Sequence, residues 1–465
     1  MSVSFRHAGS FRALATALAT IMASACALGL PGSTGQAEAA SAPRSYLVNA
    51  RTPGQTKAAQ AAAVKAGGQV VQSWPQIGVI VVRSTRPGYL NRLKAQRSRA
   101  VLSAGDARGI SATERVTIGK PVTVSAPGRR VSAPGRRVTA TATLVGKTDP
   151  MARQQSHLTV DRATKAHAVT PGSSHVVVGV IDTGVDDRHP DLARNFSRAD
   201  SVDCTNFGRP NTAAGAWRGK DSHGTHVAGT IAAARNGYGV TGVAPGVRVA
   251  SLKVVNSIGE SYPEYIVCAY MWAGARQLAV TNASLNMFDL WCGDLQIASP
   301  AMTSVRRAID YAAGRRVVNV SSTGNSGADI SWQRGESCQD PISVSRNVVH
   351  VTSVNAKGGL SEFASHGRSM TDIAAPGEQI LSDAVGRRFE RRSGTSQAAP
   401  QVAGTLALMK SRRPAASNAT LVKTLKRTTK AVPVRTIGRE CRGTVRSNSC
   451  TGFGQLDSFA AVKAI

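Results

Sequence analysis

The stretch "HVVVGVID" (residues 175–182) decides the fold. Its apolar residues are consecutive rather than alternate, so both faces of the strand must be covered, as in parallel sheets flanked by helices. It ends on Asp182, with Gly184 in the turn beyond. Downstream, "HGTHVAGTIAAA" (223–234) reads as a helix, "VRVASLKVV" (247–255) as a strand and "PEYIVCAYMWAGARQ" (263–277) as a helix. "LAVTNASL" (278–285) is a strand, "AMTSVRRAIDYAAGRR" (301–316) a helix, and "VVNVSS" (317–322) and "NVVHVTSV" (347–354) are strands. "SGTSQAAPQVAGTLALMKS" (393–411) and "NATLVKTLKRTT" (418–429) are helical. The alternation predicts an α/β domain over residues 151–465, with its site at the carboxyl ends of the strands.

Upstream the pattern changes. Residues 40–110 hold strand-like "SYLVNA", "GQVVQSW", "QIGVIVVRS" and "AVLSAG", interleaved with helical "GQTKAAQAAAVKAG" and "GYLNRLKAQRSRA". The order β-α-β-β-α-β is the split βαβ, or ferredoxin-like, arrangement of a small α+β unit. Residues 111–150 carry "VSAPGRR" twice in tandem, at 124–130 and 131–137. Pro and Gly at matched positions oppose helix and sheet, so this is an exposed, Arg-rich linker open to proteolysis. Residues 1–39 read as a secretory signal: Arg6 and Arg12, an apolar core from Leu14 to Leu30, and the small-x-small site Ala37-Glu38-Ala39. No later stretch is apolar and long enough to span a membrane.

Export agrees with the cysteines. Six follow the signal, at 204, 268, 292, 338, 441 and 450. An even count in an exported chain favours disulfides, and Cys441 with Cys450, close together in a polar loop, is the first pair expected. The net charge of +30 is divided between the segments, with 18 Lys and Arg against 3 Asp and Glu in residues 40–150. A solvated basic surface accounts for this, and aromatic residues at 5% supply no stacking platform for single strands, so no specific nucleic-acid partner is expected.

Four residues bear on chemistry. Asp182 follows a buried strand. His223 opens a helix, with His226 three residues on. Asn325 follows a strand end in "VVNVSSTGNSG" (317–327). Ser396 sits at a helix N-terminus, where unpaired N–H groups and the dipole favour a developing oxyanion. Each also has an ordinary reading alone: a turn-capping Asp, a structural His, a left-handed Asn, an N-cap Ser. Together they supply an orienting acid, a base, an oxyanion donor and a nucleophile, in the chain order Asp-His-Ser.

On these residues the chain resembles the subtilisin-like serine proteases, the subtilases. The matching runs are "VGVIDTGVD", "HGTHVAGT", "TGNSG", "AAPG" (374–377) and "SGTSQAAPQVAG". The resemblance implies a three-layer fold of parallel sheet and flanking helices over residues 151–465, an Asp182-His223-Ser396 triad and an oxyanion donor in Asn325. It implies substrate-binding positions at Ser284, Leu285, Asn286 and Gly324, and reads residues 40–110 as an inhibitory, folding-assisting prodomain. It also implies that Cys292 and Cys338 flank the specificity pocket and could pair. The chain is then a secreted, monomeric serine endopeptidase made as a zymogen, acting on peptides or proteins with no cofactor needed for catalysis. A structural calcium is implied at "HPDL" (189–192) and "AARNGYGV" (233–240), with Asp191 and Asn236 as side-chain ligands.

Some residues depart from the family pattern. Ser284-Leu285-Asn286-Met287 replaces Ser-Leu-Gly-Gly at a substrate-binding edge, Gln397 replaces the usual Met after the serine, and Arg235 replaces a neutral residue in the calcium loop. Asn286-Met287 and Gln397 support an alternative, a catalytically silent binding protein on the same scaffold, against which the intact triad weighs, while Arg235 argues against tight calcium binding.

Overall fold

In a computed structural model of the full chain, the described residues are 43–107, 110–111, 122–124, 149–285, 295–331, 340–432 and 441–465. The signal, most of the linker with both heptapeptides, Asn286, Met287, Cys292 and Cys338 lie outside them.

Residues 44–106 form strand β1 (Arg44–Ala50), helix α1 (Thr56–Lys65), β2 (Gln69–Trp74), β3 (Val79–Ser84), α2 (Tyr89–Ala95) and β4 (Val101–Asp106). The sheet order is β2-β3-β1-β4 with antiparallel neighbours, the predicted split arrangement. Helix α2 ends earlier than its apolar pattern suggests, because Arg97 turns the chain at φ 46°. One face of the sheet, with Val48, Ile80 and Val82, packs under α1 and α2, while Leu47, Val79 and Val81 join the core of the larger domain. Both faces are therefore covered, which is why "VIVV" is continuously apolar.

Two short strands follow, β5 (Ile110–Ser111) and β6 (Val122–Val124). Beyond the short helices α3 (His157–Val160) and α4 (Ala163–Ala166), the chain builds β7 (Val177–Asp182), β8 (Val202–Asn206), β9 (Arg209–Asn211) and α5 (His223–Ala232). It continues with β10 (Arg248–Lys253), β11 (Glu260–Ser261), α6 (Pro263–Ala275), β12 (Val280–Ala283), α7 (Leu295–Gly314), β13 (Val318–Ser322), β14 (Val348–Val354) and β15 (Ile373–Pro376). A hairpin of β16 (Ile380–Ala384) and β17 (Arg388–Arg392) leads into α8 (Thr395–Arg412), then α9 (Asn418–Arg427), β18 (Gly443–Thr444), β19 (Ser447–Asn448) and α10 (Ser458–Ala464).

The main sheet has the order β15-β14-β13-β12-β7-β10-β8-β9. Every pairing in it is parallel except β8 with the edge strand β9. Val177 and Ile181 of β7 face the core shared with α6 and α7, and Val178 and Val180 face the core shared with α5, α8 and α10. This is the two-sided burial read from "HVVVGVID". Strand β10 lies on one side of β7 and β12 on the other, so the strand order reverses at β7, where a crevice opens outside the carboxyl ends.

Two disulfides occur among the described residues. Cys441–Cys450 is the expected pair, and Cys204–Cys268, which ties β8 to α6, was open among fifteen sequence pairings. No helix of the described residues is long and apolar enough to cross a membrane.

Candidate active site

Asp182 is the last residue of β7 and is fully buried. His223 is the first residue of α5, and its Nδ1 lies 2.7 Å from Asp182 Oδ1. That oxygen also accepts the Thr183 N–H at 2.7 Å, which fixes the carboxylate plane. Close approach of helix to strand depends on Gly224, where a Cβ would lie 2.3 Å from Gly184 O and 3.1 Å from Asp182 Oδ1. Thr183 Oγ1 accepts the Gly224 N–H at 3.0 Å, and Asp221 Oδ1 accepts the His223 N–H at 2.6 Å, so orphan donors of the helix start are satisfied.

Burial opposes a charge on His223, but the adjacent Asp182 carboxylate and its hydrogen bond outweigh it, and the imidazole pKa is raised above its ordinary value. Arg392 works against this from the end of β17. His226, three residues on, differs. It is fully buried, its pKa is pushed well down by burial first and by Arg392 next, and its Nε2 lies 3.0 and 3.1 Å from the carbonyls of Ile380 and Glu390. It pins α5 to the β16–β17 hairpin as a neutral donor, and it is not a second base.

Ser396 is the second residue of α8 and is buried. Its Oγ donates to Ser284 O at 3.2 Å, and Ser284 Oγ donates back to Ser396 O at 2.9 Å. Asn325 follows β13, and its Oδ1 accepts from both the N–H and the Oγ1 of Thr395, at 2.8 and 2.9 Å. With the oxygen end held, the amide nitrogen is aimed across Gly394. A Cβ on Gly394 would lie 3.3 Å from Asn325 Nδ2 and 3.7 Å from Ser396 N, so the two donors flank one spot. Gly394 adopts φ 155° and ψ 160°, a conformation essentially confined to glycine.

Helices α5 and α8 share a core, Val227, Ala228 and Ile231 against Ala398, Ala399, Val402 and Ala403, so the Asp182–His223 pair and the Ser396–Asn325 group belong to one packed body. Gly324 closes the Asn325 turn, its N–H on Thr395 Oγ1 at 3.2 Å, and Leu285 is buried beside Ser284. Gln397 is buried under the same spot, its Oε1 2.8 Å from where a Gly394 Cβ would stand.

Pro400 is the sixth residue of α8, which starts at Thr395, and so lies inside the helix. It has no N–H for Ser396 O, the acceptor four residues back, and Ser284 Oγ takes that acceptor instead. Thr395 orients Asn325, and Thr183, which holds the first turn of α5, was not singled out in the sequence.

Asp191 follows the loop after β7 and is buried; its Oδ2 accepts the Val240 N–H at 3.0 Å. Asn236 donates from Nδ2 to Pro190 O at 3.2 Å, and its Oδ1 accepts the Tyr238 N–H at 2.9 Å. Asp149, missed in the sequence, fastens this loop through the N–H groups of Asn236 and Gly237 and through Thr241 Oγ1.

The subtilase family model matches residues 173–454. Subtilisin E of Bacillus subtilis (strain 168) is 32% identical over 259 residues, 56% of this chain and 61% of that protein. Subtilisin Savinase of Lederbergia lenta is 34% identical over 268 residues, 57% of this chain and 88% of that protein. The chain thus spans about three fifths of Subtilisin E and most of Savinase. Among solved structures, the epidermin leader peptide processing serine protease (EpiP) of Staphylococcus aureus superposes with a TM-score of 0.68 at 21% identity, covering 91% of this chain and 98% of that one. Fervidolysin of Fervidobacterium pennivorans, described as a keratinolytic enzyme related to subtilisin, gives 0.66 at 22% identity, covering 92% and 62%.

Proposed function

The chain belongs to the subtilase family, and on that premise we propose that it is a secreted serine endopeptidase made as an inactive precursor. The observation that carries the reading is the 2.7 Å Asp182–His223 pair at the head of the helix that packs on the Ser396 helix. With Nδ1 held by Asp182, Nε2 of His223 is the nitrogen that takes the Ser396 proton. Ser396 Oγ attacks the peptide carbonyl, the protonated His223 returns the proton to the leaving amine, and water hydrolyses the acyl-enzyme. Asn325 Nδ2 and the Ser396 N–H hold the oxyanion above Gly394. Losing one such donor costs about 10²–10³-fold in kcat, a magnitude measured on subtilisin itself. Ser284 and Leu285 form the substrate edge, with Asn286 continuing it and Gly324 behind the site. No cofactor takes part in bond making. Asp191 would help to hold the structural cation that the family implies, where the charge of the ion would offset buried carboxylates.

The precursor reading rests on how the chain leaves residues 44–106. Ile110 and Ser111 pair antiparallel with Ser261 and Glu260 of β11, as an added substrate strand does. Strand β11 follows β10, past Val254, whose N–H donates to Asp182 O. Val122–Val124 then pairs with β17, which ends four residues before Ser396. One anchor pairs with the strand after β10 and the other with the strand that leads to Ser396, and we assign the scissile bond to residues 111–122. The small unit, docked on α6 and α7 through Ser45–Glu264, Asn49–Ser304 and Arg307–Ala50 hydrogen bonds, acts as prodomain and inhibitor. Disulfides and the signal-like start support export.

Purified precursor and its Ser396→Ala variant, compared by gel and N-terminal sequencing, test this. The parent should yield a new N-terminus between 112 and 122, and the variant should stay whole. Equal processing of both would overturn the reading.

A further inference from the structure

Further along α5 from His223 lies a cluster that peptide hydrolysis does not use. His189, Asp191 and Asp383 are each fully buried, and a ring nitrogen of His189 and one carboxylate oxygen of each aspartate lie within 4.8 Å of one another. His189 and Asp191 belong to the loop after β7, and Asp383 to β16.

The hydrogen bonding of this cluster is incomplete. Asp191 Oδ2 has the Val240 N–H, but Asp191 Oδ1 and both oxygens of Asp383 have no donor in hydrogen-bonding geometry. Among the described residues neither carboxylate pairs with a Lys or Arg, and the third buried carboxylate nearby, Asp149, adds to the negative field. Asp191 and Asp383 are close enough to share one proton, which satisfies one oxygen of each, whereas a cation in the gap satisfies all three oxygens at once. His189 is set up to join them. Its Nε2 lies 3.2 Å from Arg388 O, the carbonyl contact usual behind a metal-ligating imidazole. Its Nδ1 lies 3.5 Å from Asp383 Oδ1 and accepts only a long bond, 3.3 Å, from the Asp191 N–H.

The surroundings close the cluster off. A Cβ on Gly229 of α5 would lie 2.6 Å from Asp383 Oδ2, one on Gly239 would lie 2.2 Å from Asp191 Oδ2, and Phe389 packs edge-on against His189 at 5.4 Å. Calcium and magnesium take oxygen ligands, so an imidazole nitrogen in the set disfavours both. One imidazole nitrogen and two carboxylates, one of them able to bind through both oxygens, suit a zinc-class ion in a buried site.

We propose that His189, Asp191 and Asp383 ligate one structural zinc-class divalent cation, which braces the loop after β7 and strand β16 against the helix that carries His223. The proposal stands apart from the Ser396 chemistry. It deepens the structural-cation reading by keeping Asp191, replacing Asn236 with Asp383 and His189, and replacing calcium with a softer metal.

Metal content of the full chain, produced as the Ser396→Ala form to prevent self-digestion, tests it by elemental analysis. About one zinc-class ion per chain is expected, falling at least about tenfold in the added variants Asp383→Asn and His189→Gln. In parallel, the Ser396→Ala chain is refolded with cobalt(II) alone, calcium alone or chelator. Cobalt should give the visible absorption of a low-coordinate site and a higher Tm than the other two. Should the ligand variants fail to fold, this refolding series decides. A protein with no divalent ion, with calcium only, or with zinc undiminished in both folded variants would mean that a shared proton holds the carboxyl pair, and the proposal would fall.

Discussion

Ser284 and Ser396 are bound to each other twice, each hydroxyl donating to the other's backbone carbonyl, at 2.9 and 3.2 Å. Pro400 is the reason one of these bonds exists, since it lacks the N–H that Ser396 O would receive in a regular helix. The strand edge proposed to meet substrate is thereby fastened to the helix that carries the proposed nucleophile. Ser284→Ala should remove a buried hydrogen bond to Ser396 O, at a cost of about 0.5–1.5 kcal/mol, and lower kcat as the α8 start loosens. Adding Pro400→Ala restores an N–H for Ser396 O and should recover part of the lost Tm. Thermal melts of the two variants check this; no recovery in the double variant would mean that the Ser284 hydroxyl does not replace the missing helix bond.

The acid limb of kcat/KM should lie above the ordinary histidine range, because Asp182 raises the His223 pKa against its burial. Only neutral His223 accepts the proton, so activity falls as pH drops through that raised value. Removing the Arg392 charge, which lowers the pKa, should move the limb higher in Arg392→Gln. Asp182→Asn should move it lower and cost about 10⁴-fold in kcat. A pH profile of the three proteins decides; an unmoved limb in Asp182→Asn would break the assignment.

Glu264, at the start of α6, is buried beneath the small N-terminal unit, where it accepts from Ser45 Oγ at 2.9 Å. Burial pushes its carboxyl up to about 7, with nearby Asp106 adding to the shift. Once the unit leaves, Glu264 returns toward the ordinary value of 4.5. The docked state therefore holds more protons between 4.5 and 7, and docking weakens as pH rises across that window, by up to about tenfold per unit. In hydrogen exchange, after division by the intrinsic exchange rate at each pH, residues 44–106 of the Ser396→Ala precursor should be less protected at pH 8 than at pH 5. Glu264→Gln, neutral throughout, should remove most of that difference; an unchanged difference would assign the effect elsewhere.

Gln397 occupies the position after the nucleophile, buried beneath the spot flanked by Asn325 and Ser396. An amide there does not oxidise as a thioether does. Activity should survive mild peroxide that inactivates a Gln397→Met variant. Rapid loss in the parent, traced by peptide mapping to residues around Ser396, would contradict this.

Much of this was legible before any coordinates. The consecutive valines of "HVVVGVID" revealed a strand covered on both sides, and the order Asp182, His223, Asn325, Ser396 pointed to the candidate site. What escaped was interaction that no spacing encodes. Asp383 reads as a lone charged residue in "ILSDA", and only the fold brings it within reach of His189 and Asp191. Strands β16 and β17 were missed because "ILSDA" and "RFERR" carry charges inside the runs, paired or buried only in three dimensions. Helix α7 begins six residues before its predicted start, at Leu295, since Pro300 within it read as a boundary. The Cys204–Cys268 pair joins positions 64 residues apart, a choice that sequence leaves open.

The central claim is that Ser396 is a nucleophile activated by His223. Fluorophosphonate labelling of the processed protein, read by mass spectrometry, tests it most directly. One adduct should form, on Ser396, and should vanish in His223→Ala as well as in Ser396→Ala. No adduct, or one of equal yield in His223→Ala, would contradict the account.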